Sequence, residues 1–86
     1  MGLWWLSFAN PKNPPGERFL GVALVEADSY PEAIRRAWRE GCNPGGEIQG
    51  TELPLSQLSN EIRLLLAKAP HHRLLDKDHL VEYGLR

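Results

Sequence analysis

The chain has 86 residues and a mass of 9.7 kDa, a length that predicts one small domain and excludes two independent hydrophobic cores. Hydrophobic residues make up 42% of the sequence, charged residues 24%, and the formal net charge is −1, which is typical of a soluble globular protein and not of a disordered one. Because ten basic side chains are balanced by eleven acidic ones, we do not expect a nucleic-acid polymer as partner.

The cellular location is predicted from cysteine usage and from the N-terminal apolar run. The single cysteine, Cys42, cannot form an intramolecular disulfide, which favours a reducing compartment. The run Leu3–Ala9 is too short for a membrane span and has no basic residue before it, as a signal peptide would. We therefore expect a cytoplasmic protein with no membrane partner.

Two strands are predicted at the start of the chain. Leu3–Ala9 is rich in aromatic residues, and its period-two alternation places Trp4 and Trp5 on opposite faces. Asn10–Glu17 contains three prolines and cannot form a regular ladder, so it predicts the loop of a hairpin. The second strand is Arg18–Ala27, which is apolar on both faces.

A helix is predicted from residue 30 to about Glu40. Ser29 suits its N-cap and Glu32 the matching capping-box position, while Gly41 suits a left-handed C-terminal cap. The apolar residues that helical spacing assigns to one buried stripe are Tyr30, Ala33, Ile34, Ala37 and Trp38.

A tight connector, Cys42–Gly46, leads to a third strand, Glu47–Leu53. In this connector Pro44 and Gly45 suit the central positions of a type II turn. Because strand, helix and strand follow within about 35 residues, we expect the second and third strands to run parallel through a right-handed crossover. The predicted core is therefore a β-β-α-β unit.

The remainder is predicted to be helical. Leucines and isoleucine at helical spacing favour a second helix that ends at Lys68, with a possible fresh start at Ser59 or Asn60. Asp76 is placed to cap a short last helix. The prediction is an α+β fold, a single domain over residues 1–86 with a β-β-α-β core at 1–54 and a helical tail at 55–86.

Trp5 is the first candidate binding residue. One helix can cover only one face of the sheet, so the indole of Trp5 needs a second cover. We expect it to lie opposite Gly21, whose missing side chain would leave a slot for an aromatic ring, a base or a partner's side chain. The cover is the chain's own tail, a second subunit in a homo-oligomer, or a flat ligand.

The other candidates are basic or glycine-rich. Arginines on one helix face suit a phosphate clamp, although such a face is more often simply solvated. The loop from Asn43 to Gly50 suits an anion-binding nest of backbone amides, although helix capping plus a turn explains the same residues. The full set of predicted ligand-binding residues is Trp5, Arg18, Arg35, Arg36, Arg39, Asn43, Gly45, Gly46 and Gln49.

Catalytic and metal chemistry are not favoured. Cys42 lies far in the sequence from the three histidines, His71, His72 and His79, and none of them has the spacing of a zinc site. No nucleophile signature surrounds Cys42. We therefore expect no metal, no cofactor and no enzymatic activity.

One resemblance extends over roughly residues 4–54. The chain resembles short uncharacterised proteins of bacteriophage and bacterial genomes that share a W-L-S-F-A start and an N-P-G-G-E-x-Q-G turn. The residues that carry the resemblance are Trp4-Trp5-Leu6-Ser7-Phe8-Ala9, Phe19-Leu20-Gly21-Val22 with Val25-Glu26-Ala27, Ala33 through Ala37, and Asn43-Pro44-Gly45-Gly46-Glu47 with Gln49-Gly50. The resemblance implies no catalytic residue. It implies a small accessory protein, often oligomeric and directed at host machinery or host signals, including proteins that sequester defence nucleotides.

The functional expectation is a non-catalytic, phage-type binding protein. In the first hypothesis a homo-oligomer in the host cytoplasm holds a small anionic ligand, a nucleotide signal of host defence, by stacking on an aromatic ring and by pairing phosphate with arginine. In the alternative, Trp5 and the leucine-rich helix at 58–66 form a protein-interaction module or inhibitor that docks a host protein or another subunit.

Overall fold

A computed structural model describes all 86 residues and confirms the α+β fold class. The elements are β1 (Gly2–Ala9), β2 (Phe19–Ala27), α1 (Tyr30–Arg39), β3 (Glu47–Glu52), α2 (Asn60–Lys68), β4 (Leu74–Leu75) and α3 (Lys77–Glu82). A single 3-10 turn, Leu55–Gln57, precedes α2. The two-residue strand β4 was not predicted.

The four strands form one sheet in the order β3-β1-β2-β4, and every neighbouring pair is antiparallel. Since β2 and β3 are both antiparallel to β1, they run parallel to each other as predicted. They are not neighbours, however, because β1 lies between them. The crossover through α1 therefore passes over β1 before the chain enters β3.

The first face of the sheet packs against α1. The alternation of β1 is as predicted: Leu6 and Phe8 are fully buried on this face, and the indole N–H of Trp4 donates to the Ala27 carbonyl over 3.1 Å. The helix contributes Ala33 and Ala37, whose small side chains let its backbone approach the strands closely. The cluster consists of Leu6, Phe8, Ala23, Val25, Ala27, Ala33, Ala37 and Cys42.

The prediction that Trp38 belongs to this buried stripe is wrong. Its side chain is 59% exposed. The centre of the buried face is set by Ala33 and Ala37, and Trp38 is rotated about 100° away from Ala37 around the helix axis. The largest aromatic side chain of α1 therefore lies in solvent.

The helix caps follow the sequence signals. The hydroxyl of Ser29 accepts from the Glu32 amide over 3.3 Å, and that of Ser59 accepts from the Ile62 amide over 3.2 Å, so α2 does begin afresh after Ser59. Asp76 caps α3 by accepting from the His79 amide over 2.9 Å. Gly41 has a φ of 73°, as expected for a left-handed residue after α1.

The second face of the sheet is covered by the C-terminal tail. Leu24 packs with Leu66 and Ala69 from the end of α2, and Val22 packs with Leu75 and Leu80 from β4 and α3. The side chain of Trp5 contacts both clusters. Of the three predicted covers for this indole, the chain's own tail is therefore in contact with it and leaves it partly buried.

The expected pairing of Trp5 with Gly21 is wrong. The register places Phe8 opposite Gly21 and Leu24 opposite Trp5. A Cβ on Gly21 would lie 2.8 Å from both Leu74 Cδ1 and the Leu75 carbonyl oxygen, so the slot predicted there is filled by the chain's own β4. No helix has the length and apolar character that a membrane span requires.

Candidate functional site

An apolar groove of about 250 Å³ runs between the sheet and the tail beside Trp5. The indole stands on β1 between Leu24 of β2 and Thr51 of β3, and it is only partly buried. None of the groove's lining residues is charged; they are Trp5, Leu53, Leu58, Ile62, Leu65, Leu66, Gly84 and Leu85. The groove therefore suits an apolar side chain and has no counter-charge for a phosphate.

Helix α2 borders this groove and is weakly covered by its own chain. Of its nine residues only Leu66 is buried. Ile62 is 44% exposed, Leu64 58% and Leu65 36%. A helix this short is marginal in water without tertiary packing, so three exposed aliphatic side chains on it indicate an interaction surface.

The structure does not assemble the predicted site of Trp5 with the helix arginines. Helix α1 lies on the face of Leu6 and Phe8, whereas Trp5 points to the opposite face under the tail. The sheet therefore separates the indole from all three guanidinium groups. Arg36 is moreover engaged, since it donates to the Glu26 carbonyl over 2.9 Å. One ligand cannot be held by Trp5 and these arginines together.

The connector at Asn43–Gly46 is shaped by its own backbone. Asn43 is only 8% exposed, and its side-chain oxygen accepts from the Gly45 amide over 2.8 Å in an Asx turn. Gly45 and Gly46 have φ angles of 84° and 78°, and a Cβ on Gly46 would collide with the Ala9 carbonyl. The close approach of the connector to β1 thus accounts for Gly46 without any ligand.

The last two predicted residues lie apart from this connector and from each other. Arg18 is exposed and donates from Nε to the Asn13 carbonyl over 3.0 Å, which ties the hairpin loop. Gln49 is exposed on β3 and pairs with Ser7 of β1, on the same face as Trp5. Of the predicted set, only Gln49 shares a sheet face with Trp5.

Sequence reasoning missed a surface feature on α1. Trp38 follows Arg35 by three residues, so helical spacing places the exposed indole beside the Arg35 side chain, and Arg39 follows Arg35 by four residues on the other side of it. The guanidinium groups of Arg35 and Arg39 form no ion pair and no side-chain hydrogen bond within the chain. The angular distance of Trp38 from Ala37 was the signal that could have identified it as a surface residue.

The cysteine and the histidines form no common site. Cys42 is buried in the α1-side core, and burial raises the pKa of its thiol, which disfavours the reactive thiolate. The Nε2 of His71 donates to the Leu66 carbonyl over 2.9 Å, and its Nδ1 lies 3.7 Å from a carboxylate oxygen of Glu26. No group of three or more potential ligand side chains is placed to hold a metal ion.

His72, in the tail, is the one non-glycine residue of the chain with a positive φ. It has a φ of 61°, and its Nδ1 is buried without a hydrogen-bond partner. Burial lowers the pKa of this imidazole, the nearby charge of Arg36 lowers it further, and Glu40 and Glu26 act in the opposite direction. The neutral ring is therefore the form that the fold accommodates.

This depressed pKa predicts a loss of stability in acid. The unfolded chain takes up a proton at His72 near pH 6.5, before the folded chain does, so stability should fall as the pH drops below about 6.5 and until the lower folded pKa is passed. His72→Asn keeps a residue that tolerates positive φ but cannot titrate. Thermal melts at pH 7.5 and 5.5 should show a smaller acid shift for this variant, and an equal shift would contradict the prediction.

No family model, no curated protein and no solved structure matches this chain. The resemblance to short phage and bacterial proteins therefore stays a prediction from the sequence.

Proposed function

We propose that this chain is a non-catalytic protein-interaction module that binds an amphipathic helix of a protein partner at the Trp5 groove and along α2. The observation that carries the proposal is a concave apolar groove whose α2 border exposes Ile62 and Leu65, with Leu64 exposed on the same helix. A partner that filled the groove and covered this border would remove both from water.

A helix suits this surface better than a small ligand does. A small molecule in the groove would leave Leu64 bare, since Leu64 does not line it. Tryptophan at the centre of an interface, surrounded by aliphatic side chains, is typical of residues that dominate binding energy. The absence of charged lining residues also disfavours a nucleotide in this groove.

Selection of binders from a displayed library of random helical peptides tests the proposal. We expect the wild-type protein to enrich peptides with Leu, Phe or Trp at i, i+3 or i+4, i+7 spacing. Ile62→Glu should lose them, because it places a charge on the groove wall, whereas Val81→Glu on α3 should keep them, because Val81 does not line the groove. Failure to enrich such peptides, or equal binding by both variants, would overturn the proposal.

A second candidate function, the sequestration of a small anionic ligand such as a defence nucleotide by a phage-type protein, is favoured by one observation. Trp38 is exposed beside Arg35, and Arg35 neighbours Arg39, so an aromatic base has a ring to stack on and a phosphate has two guanidinium groups without an ion pair. The site differs from the one predicted from the sequence, since Trp38 takes the place of Trp5.

Thermal melting with a panel of mono-, di- and cyclic nucleotides tests this second candidate. We expect at least one nucleotide to raise the melting temperature of the wild type and to have no effect on the Arg35→Gln/Arg39→Gln variant. The matched control is Lys12→Gln in the hairpin loop, which should behave as the wild type. A flat response across the panel would remove the candidate.

A further inference from the structure

We propose that the helix which α2 binds is α2 of a second copy of this chain, in an antiparallel pair about a two-fold axis between Leu64 and Leu65. This inference rests on the proposed function, because it names the partner that binds along α2; Leu65 belongs both to the groove and to the face that pairs. Two-fold pairs are the commonest assemblies of identical chains, and each surface patch then contacts its own copy.

The outer face of α2 has the spacing of a helix-pairing seam. Glu61, Leu64, Leu65 and Lys68 stand at i, i+3, i+4 and i+7, so they share one face of the helix, and all four are exposed. Two leucines thus form the centre of the face and one charge of each sign lies at either end. Leu66, the buried residue, points toward the sheet instead.

The charges on this face form opposite-charge pairs between two copies only when the two helices run antiparallel. When two copies pair antiparallel about the centre, Glu61 of each lies beside Lys68 of the other, which forms two opposite-charge pairs around four leucines. When they pair parallel, Glu61 meets Glu61 and Lys68 meets Lys68, so like charges disfavour that arrangement. The antiparallel pair is therefore selected.

The third charged residue of α2 leaves this seam undisturbed. The guanidinium of Arg63 donates to the Leu55 carbonyl over 3.3 Å and to the side-chain oxygen of Asn60, so it is held on the flank of the helix. Helical spacing also places Arg63 away from Leu64 and Leu65, on the side of the helix that carries Ala67. The only charges on the outer face are those that pair.

The longer free edge of the sheet, that of β3, is a second surface to which another copy could bind, and the chain protects it. The hydroxyl of Tyr30 donates to the Ile48 carbonyl over 3.4 Å, and its ring covers Gly50. Glu47 and Glu52 add like charges along the same short strand. These are the usual means by which an edge strand avoids pairing with another chain, so self-association through β3 is disfavoured relative to α2.

A charge-exchange experiment on the full chain tests the pair. We expect the wild type to dimerise in sedimentation equilibrium at concentrations up to about 1 mM, and Glu61→Lys and Lys68→Glu to weaken dimerisation about tenfold each, because each turns both ion pairs into repulsions. An equimolar mixture of the two variants should dimerise as the wild type does, since every contact then joins opposite charges. The double variant should recover dimerisation for the same reason.

Leu64→Glu and Val81→Glu provide a matched pair of controls, because Leu64 and Val81 are both 58% exposed. The first should abolish dimerisation and the second should leave it unchanged, with circular dichroism verifying the fold of each. A wild type that stays monomeric at the highest concentration overturns this inference while the peptide selection still decides the proposed function. Dimerisation that is unchanged in Glu61→Lys, Lys68→Glu and Leu64→Glu also overturns it, because another surface would then form the contact.

Discussion

Phe8→Ala should destabilise the protein by about 3–5 kcal/mol. The Phe8 ring is fully buried between the sheet and α1, with Leu6 and the two helix alanines around it. Its removal loses the transfer free energy of the ring and leaves a cavity that a short, tightly packed helix cannot collapse to fill. A domain of this size has a free energy of unfolding near the lower end of about 5–15 kcal/mol, so much of its stability should be lost.

Urea denaturation followed by circular dichroism measures this effect, and Trp38→Ala provides the comparison. Trp38 lies on the same helix but is 59% exposed, so its removal should change the free energy of unfolding by about 0.5 kcal/mol or less. Equal losses for Phe8→Ala and Trp38→Ala would contradict the packing of α1 described above.

Gly21→Ala should be the second most damaging single change, at about 2–4 kcal/mol. Gly21 has a φ of 143°, which side-chain-bearing residues rarely adopt, and its added methyl would press against Leu74 and the Leu75 carbonyl. The substitution therefore acts on the junction between β2 and β4. Since β4 anchors the tail, we expect the amides of residues 72–85 to lose protection from hydrogen exchange before the β1–β2 ladder does.

Gly16→Ala is the control that separates backbone strain at a positive φ from steric collision of the added methyl group. Gly16 also has a positive φ, 89°, but nothing lies within 4 Å of the position of its added Cβ. We expect this variant to lose only about 1 kcal/mol. If thermal unfolding gives the same loss for both variants, the close approach of β4 to Gly21 is contradicted.

Much of the fold was predictable because its signals are local. Alternation in β1 assigned Phe8 to one face and Trp5 to the other, and the side chains of Ser29 and Asp76 fixed two helix starts. These signals act within a few residues along the chain. The sheet order depends on contacts between distant segments, so the position of β1 between β2 and β3 did not follow from them.

The candidate site was predictable only in part for the same reason. The sequence established that Trp4 and Trp5 face opposite ways, but not that α1 would cover the face of Trp4. That choice places the sheet between Trp5 and Arg35 and so divides the predicted ligand site. The leucines of α2 were visible in the sequence as a helical stripe. That only Leu66 of α2 is buried depends on where the helix docks on the sheet, which its spacing does not determine.

The most direct measurement is the protection of individual backbone amides from hydrogen exchange at two protein concentrations, near and far below the dissociation constant of the pair. We expect the amides of α2 to gain protection as the concentration rises, while those of α1 stay unchanged, because only α2 becomes covered by a second copy. Protection in α2 that is independent of concentration, or a gain confined to α1 or β3, would contradict α2 as the surface through which this chain binds.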